Sequence, residues 1–499
     1  MRDFLLKRPM LLSALCASAV SVIGLYAEKA LFIFCIGILI FLFVIIYKRV
    51  RSELIFALLV IFAVALSTLF SVKRVESLKR FDNCSCSGEF IVVEEPVNHG
   101  DFYTASLEAV KSDCLSKGTK VNIVYYDGEM EFSQRINANV TLSTFEDYKL
   151  KFSFYSNGVF LDGRVNDFEY TGENDIVLNA VGRVREYIKN NIFEFYGKSE
   201  AATMLALLTG DRSYFTDRFY SNVKSAGVAH VMVVSGMHLS VIVSLFLYLI
   251  NKLVYNRYLK ALVVVAVTFA VMIVCGFTMS IQRAGFTYLF LALSLLLNRE
   301  STPENTLGCA VCTVLIINPY AIMNVAFQLS VLSTFAILAV AIPITEYVKE
   351  SKIIKNELLL SLFSSIVISL SALIFTAPVT TYIFGYVSNV SLITNLLIST
   401  AATLALILCI LGFLLPFAKT VLFGAGSVIV NYINAVINYF GSLSFATTQT
   451  DKKVTVYMIV VIIAILWTLV ACKNYKDMLK LKEIRLKKYK EGGGKVKWQ

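Results

Sequence analysis

Three histidines in 499 residues are too few to build a hydrolytic metal cluster rich in His and Asp, or an array of haem ligands. A Gly-x-x-x-x-Gly-Lys phosphate loop is also missing, which excludes ATP hydrolysis by that route and leaves any transport work to a partner or a gradient. Charge is scarce: 16% of residues are Asp, Glu, Lys or Arg, against 57% hydrophobic. That balance excludes a soluble globular protein. The apolar runs lack two-residue alternation, so the spanning element is not a lipid-facing barrel. Neither Cys84-x-Cys86 nor Cys309-x-x-Cys312 has a His or a second Cys pair at ligand spacing, so no metal site is expected.

The chain does have apolar runs of membrane length, among them Met10 to Ala27, Ala30 to Tyr47, Leu54 to Val72 and Val454 to Cys472. The fold class they imply is a polytopic α-helical membrane protein of about 12 spans. Arg2, Lys7 and Arg8 precede the first span, and Lys48, Arg49 and Arg51 fill the turn after the second. Lys252, Arg257 and Lys260, then Arg299, then Lys349, Lys352 and Lys355, and then Lys419 fall in alternate loops. The segment from Lys473 to Lys497 holds 10 basic residues against 3 acidic ones. The positive-inside rule then predicts both termini in the cytoplasm and the region after Val72 outside. The first run lacks a small-residue cleavage site and is read as retained. Leu307 to Asn318 is short enough to be re-entrant.

Four regions follow. Residues 1–73 form an N-terminal three-helix membrane region, 74–176 an extracellular β domain, 177–475 a larger membrane domain opening with interfacial helices, and 476–499 a basic cytoplasmic tail. Within the insert, strand-like runs (Glu89 to Val93, Phe102 to Val110, Lys120 to Tyr126, Ala138 to Ser143, Val159 to Val165) alternate with turn residues such as Asp127-Gly128 and Asn157-Gly158. That pattern and size suit a small OB-like barrel. From Lys73 to Ala180 there are 11 basic and 18 acidic residues, a net charge of −7, so the basic excess of the whole chain is not a nucleic-acid footprint on this insert. If the insert meets an oxidising exterior, Cys84 or Cys86 can bridge to Cys114, leaving one thiol over.

Ala226 to Ile242 reads AGVAHVMVVSGMHLSVI, which places His230, Ser235, Gly236 and His238 in a membrane-embedded setting. Polar groups at that depth need an internal partner or a wet cavity. On a continuous helix Ser235 and His238 would share a face, with His230 one or two turns behind. A Ser–His hydrolytic dyad, a wet pore lining, and helix packing with each His on a carbonyl all remain open. Arg283 begins another apolar run and needs water, a phosphate, an acid, or an interface to snorkel to. Gln328 and Asn395 are amides in apolar helices, where bridging between helices is the usual role. Asp211 and Arg212 suit a surface ion pair.

Gly227 to His238 resembles the hallmark Gly-x-x-His…Ser-Gly-x-His element of the ComEC competence-protein family, inner-membrane channels of bacterial DNA uptake. Further similarities occur in the family's order: Thr209-Gly210-Asp211, Gln282-Arg283-Ala284, Asn318-Pro319, Phe327-Gln328-Leu329-Ser330, Pro378, Gly385, Ser391 and Asn395. The insert, with Asn157-Gly158-Val159 near its end, is similar to the family's OB-like domain. The resemblance implies a channel passing single-stranded DNA to the cytoplasm during natural transformation. Its pore candidates are His230, Ser235, Gly236, His238, Arg283, Gln328, Asn395, Asp211 and Arg212. It also implies contact with membrane lipid, a surface DNA receptor, a separate nuclease and a motor ATPase, and no cofactor. Two departures stand out. No His-x-His-x-Asp-His cluster of the metallo-β-lactamase type is present, so neither nuclease activity nor other enzymatic activity is expected. Ile398-Ser399-Thr400 replaces a proline common after Asn395. Because an acidic insert is a poor funnel for a polyanion, either a local strip that includes Lys149, Lys151 and Arg164 or a separate DNA receptor is expected to capture the strand. Tyr155, with Tyr125, Tyr126 and Phe160, could offer stacking surfaces, although half-buried strand aromatics are the commoner case. The rivals are an intramembrane hydrolase using Ser235 and His238, and a structural scaffold of the uptake complex.

Overall fold

The computed structural model describes residues 8–26, 37, 51–126, 128, 130–145, 147–450, 454, 458, 459 and 462. The expected spans at Ala30 to Tyr47 and Val454 to Cys472, and the basic tail, lie outside them or nearly so. Among the described residues, eight helices are long and apolar enough to cross a membrane, and Gly236–Lys252 and Pro303–Ile317 are shorter apolar helices. The chain divides into two compact units, residues 8–331 with 388–448 in one and residues 332–387 with both terminal segments in the other.

In the larger unit, helices α1 (Pro9–Tyr26) and α2 (Arg51–Leu78) lead into the β domain. Its strands are β1 (Ser85–Val92), β2 (Val97–Asn98), β3 (Tyr103–Ser112), β4 (Lys120–Tyr125), β5 (Gln134–Ser143) and β6 (Val159–Asn174). The sheet runs β1-β5-β6-β4-β3-β2, and a further pairing of β1 with β3 closes it on itself. Only β4 and β6 run parallel. Alternation explains the closure: β4 buries every second residue, and Phe90, Leu107, Ile123, Ile136, Leu142 and Leu161 meet inside. A helix not anticipated from sequence, α3 (Tyr148–Ser156), joins this core through Phe152 and Tyr155.

The barrel is tied to the membrane part by one polar knot. Asn318 Nδ2 donates to the carbonyls of Tyr155 (3.0 Å) and Ser156 (2.7 Å), and Asn324 Nδ2 donates to Ser156 Oγ (2.8 Å). Tyr320 packs edge-on against Tyr155 at 5.2 Å. Asn318 also caps the short 3-10 turn Pro319–Met323, so one residue starts a turn and fastens the barrel.

Helices α4 (Ile176–Phe195), α5 (Lys198–Leu208) and α6 (Asp217–Ser225) follow. Asp175 caps α4 and Thr216 caps α6 through their side-chain oxygens. Then come α7 (Gly236–Leu253), α8 (Arg257–Val274), α9 (Met279–Leu297), α10 (Pro303–Ile317) and α11 (Val325–Ala336). At 15 residues α10 is short for a span, as its sequence suggested. In the smaller unit the chain passes through a π-turn at Ile337–Ala341 into α12 (Ile342–Glu350) and α13 (Glu357–Phe384). Phe335 and Phe375 pack there at 6.1 Å. Helices α14 (Ser391–Leu414) and α15 (Lys419–Gly441) return to the larger unit. Through Ile398-Ser399-Thr400, α14 runs unbroken for 24 residues.

Candidate functional site

The polar cluster forms where the chain is not helical. Between Ala226 and Ser235 it runs as turns and extended segments, and α7 starts only at Gly236. His230 therefore does not sit a turn behind Ser235 on one helix, as periodicity predicted. Hydroxyls from the head of α14 and just before it pin this loop. Ser388 Oγ donates to the Ser225 carbonyl and Thr394 Oγ1 to the Ala226 carbonyl, each at 2.7 Å. Gly227 holds a φ of +73°, and a Cβ there would stand 2.5 Å from that of Ser391, so both backbone conformation and close approach demand glycine. On another side, a methyl at Gly210 would stand 3.2 Å from Val234 Cγ2. The Thr209-Gly210-Asp211 turn thus lies against the loop that carries Ser235.

Ser235 is the N-cap of α7. Its Oγ accepts from Met237 N at 3.3 Å, and its own N–H donates to His238 Nδ1 at 3.0 Å. This is a capping box with His in the place usually taken by Glu or Gln. Ser235 Oγ also lies 3.1 Å from Nδ1. An Nδ1 that accepts leaves the ring proton on Nε2, and Nε2 is buried with no partner. His230, in the loop before Ser235, is exposed.

Arg283, on α9, completes the group. It is 6% exposed, so it does not snorkel. Its Nε and Nη2 both donate to Ser330 Oγ on α11, at 3.1 and 2.8 Å. A Cβ at position 236 would stand 2.6 Å from Arg283 Nη2, so Gly236 is what lets the guanidinium reach the first turn of α7. Among the described residues no carboxylate lies within ion-pair distance of Arg283. A buried cation with only a hydroxyl acceptor, set at the positive end of a helix, carries an electrostatic deficit that an anion would relieve.

The remaining candidates lie apart from this group or are held locally. Gln328 Nε2 donates to the Ile322 carbonyl at 2.7 Å, tying down the start of α11 rather than bridging spans. Asn395 is buried and its Oδ1 has no partner. Asp211 and Arg212 are not an ion pair: Asp211 Oδ1 accepts from Ser213 N and Oγ at 2.9 and 2.6 Å, and Arg212 lies over the Tyr220 ring. In the barrel, Tyr155 is 3% exposed and Tyr125 1%, with Phe160 also buried, so none of these three offers a stacking face and only Tyr126 is open. Lys151 covers Tyr155 at 5.5 Å, Arg164 is exposed on β6, and Lys149 lies on α3. Cys84, Cys86 and Cys114 are free thiols, with Cys86 Sγ 3.6 Å from Ser112 Oγ. Among the described residues no group of three or more His, Cys, Asp or Glu could hold a metal ion.

Ser330 was the residue most easily missed. It sits in the same Phe-Gln-Leu-Ser run as Gln328, but only the fold shows that the hydroxyl, not the amide, meets Arg283. Nothing in the sequence marks Asn318 as the fastening of the barrel beyond its place before a proline.

Together these features define an integral membrane protein with an inserted β domain and a polar site at a helix head. The competence-protein family matches residues 207–474, more than half of the chain and all of the site, so this protein belongs to that family. It is similar to ComE operon protein 3 of Bacillus subtilis, 22% identical over 279 residues, covering 54% of this chain and 34% of that protein. It is also similar to the uncharacterized protein MG316 of Mycoplasma genitalium, 28% identical over 203 residues, covering 40% of this chain and 48% of that protein. The matched parts thus span about a third to a half of these relatives. No solved structure matches it significantly.

Proposed function

We propose that this protein is the membrane channel component through which single-stranded DNA reaches the cytoplasm in natural transformation. In this reading it spans the cell membrane with its N-terminus inside. The β domain is OB-like and lies on the outer face, and a surface DNA receptor, a separate nuclease and a cytoplasmic motor ATPase act with it. The strand order supports the OB-like assignment: five of the six strands close on themselves in the order β1-β5-β6-β4-β3, with β2 added at β3, as a small five-stranded barrel requires. Family membership supports DNA uptake.

One observation carries the channel reading. Around the head of α7, donors outnumber acceptors among the described residues: Ser235 Oγ caps Met237 N–H, the Arg283 guanidinium meets Ser330 Oγ, and His238 Nε2–H has no partner. A phosphodiester is acceptor-only and anionic, and supplies what this set lacks. The hydrolase reading is less well supported, because Ser235 and His238 spend their contacts on a capping box and no group orients His238 from its far side. A wet conduit also needs no nucleophile.

Cells producing Arg283→Met at wild-type levels test this. Labelled DNA bound at the surface should persist while internalised label falls about 10- to 100-fold, the equivalent of a charged hydrogen bond worth ~1.5–3 kcal/mol. Undiminished internalisation would remove Arg283 from the path.

A further inference from the structure

A second site lies apart from the head of α7, in a recess between α5, α6 and the end of α15. Its volume is about 420 Å³, within the ~300–1,000 Å³ range of small-molecule sites. Aromatic rings form much of its wall: Tyr214, Phe215 and Phe219, the last two edge-on at 5.0 Å. Arg218 lines it too; it is exposed, and among the described residues no acid pairs with it. The carboxylate of nearby Asp211 is already engaged by Ser213.

Two amides line the same recess. Asn222 Nδ2 donates to Asn438 Oδ1 at 2.9 Å, joining α6 to α15. That bond uses one donor and one acceptor of the pair, so Asn222 Oδ1 and Asn438 Nδ2 remain as a further acceptor and donor at this wall. A donor and an acceptor on one wall are complementary to the edge of a nucleobase, which presents both. The surroundings are of the same kind. Lys189 lies over Tyr214 at 5.2 Å, and Lys224 over Tyr220 at 4.1 Å with Arg212 on the same ring. Cations set on rings are the surface chemistry that single strands use.

We infer that this recess takes one unstacked nucleotide of an incoming single strand, its base against Phe215 and Phe219 with its edge on Asn222 and Asn438, and its phosphate on Arg218. The inference rests on the DNA-uptake reading and deepens it. It assigns the grip on the strand to the helices after the barrel, and so accounts for an acidic barrel that would repel a polyanion. Stacking ignores base identity, so the site would be tolerant of sequence.

The test measures binding alone, without transport, so its failure leaves the channel reading standing. Purified full-length protein in neutral detergent is irradiated with a single-stranded oligonucleotide containing 5-iodouracil, and the adducts are mapped by mass spectrometry. Adducts are expected on Tyr214, Phe215 or Phe219 from the single strand, and far fewer from the duplex, whose base faces are hidden. Arg218→Ala should weaken binding several-fold and lower the slope of log affinity against log salt by about 0.7, the value for one phosphate on a single strand. Arg218→Lys should restore both, which a merely structural role would not do. Phe215→Leu keeps an apolar side chain there and should cut the adduct yield by more than half. Adducts confined to the barrel, equal yields from duplex and single strand, or an unchanged salt slope with Arg218→Ala would each overturn the inference. So would an anionic phospholipid occupying the recess with no competition from the oligonucleotide.

Discussion

In the barrel, most polar groups that lose water find partners nearby, Arg135 Nε being an exception. Asn122 Nδ2 donates to Asp162 Oδ1 at 2.7 Å, Ser106 Oγ to Glu94 Oε2 at 2.6 Å, and Arg135 pairs with Glu89 and Asp175. At the head of α7 the balance differs: among the described residues, Arg283 is as buried as a core residue and has no acid, and His238 Nε2 has no partner. Both regions bury charge or strong dipoles, but among the described residues it is the barrel that sets carboxylates against its cation. A scaffold gains by satisfying its polar groups, whereas a site that must receive an anion has to leave donors unspent, at about 1–3 kcal/mol for each buried one. The contrast separates a part built for stability from a part built for a ligand.

The largest expected departure from ordinary behaviour is therefore at Arg283. Removing one partner of a buried ion pair normally costs about 3–5 kcal/mol, whereas a buried charge with no counter-ion carries a desolvation penalty of several kcal/mol that an apolar residue of similar size does not. Arg283→Met should thus raise or preserve the unfolding midpoint in detergent while uptake collapses; a strongly destabilised variant would mean that the charge is structural after all. By contrast, Asn318→Ala should destabilise. It strips two backbone carbonyls of their donor, at about 1–3 kcal/mol, and should speed hydrogen exchange in Tyr148–Ser156 without a matching change in α7. Equal exchange in both variants would show that the knot does not fasten the barrel. A smaller effect is expected at Ser235, where alanine costs the cap about 1 kcal/mol. Asn is as good a cap, so Ser235→Asn should retain uptake; its loss in a well-folded Ser235→Asn protein would revive the nucleophile. Smallest is the pH response of the barrel. Burial pushes the Asp162 carboxyl above its usual value, against the opposing effects of Asn122, Gly163 and Arg164. A raised carboxyl stabilises the fold below its unfolded value, and this contribution fades as pH rises through the folded value. Hydrogen exchange in β4 and β6 should accordingly grow with pH, beyond its intrinsic dependence, from about pH 4 upward, and Asp162→Asn should flatten that trend.

Much of this was legible in the residues. Turn pairs such as Asn157-Gly158 and alternation in Lys120 to Tyr126 placed most strands within a few residues, because a half-buried strand writes its period into the sequence. The helix at Tyr148–Ser156 left no such trace: its apolar face is set by the barrel it packs on, not by a repeat of its own. The polar cluster could be located, since polar side chains in an apolar run stand out. Its geometry could not, because Ser235 ends a loop rather than continuing a helix, and the start of that loop is held by Ser388 and Thr394, more than 150 residues away. For Tyr155 the sequence left stacking and burial both open, burial being the commoner case, and the choice is made by Tyr320, far along the chain, which packs against it.

The most direct measurement compares internalisation of two labelled strands of one sequence, one with phosphodiester linkages and one carrying a block of uncharged methylphosphonates, in cells with wild-type protein and with Arg283→Met. If the unpaired guanidinium awaits backbone phosphate, the wild type should favour the charged strand and the variant should lose that preference, whatever its overall rate. A variant that keeps the wild-type ratio would contradict the assignment.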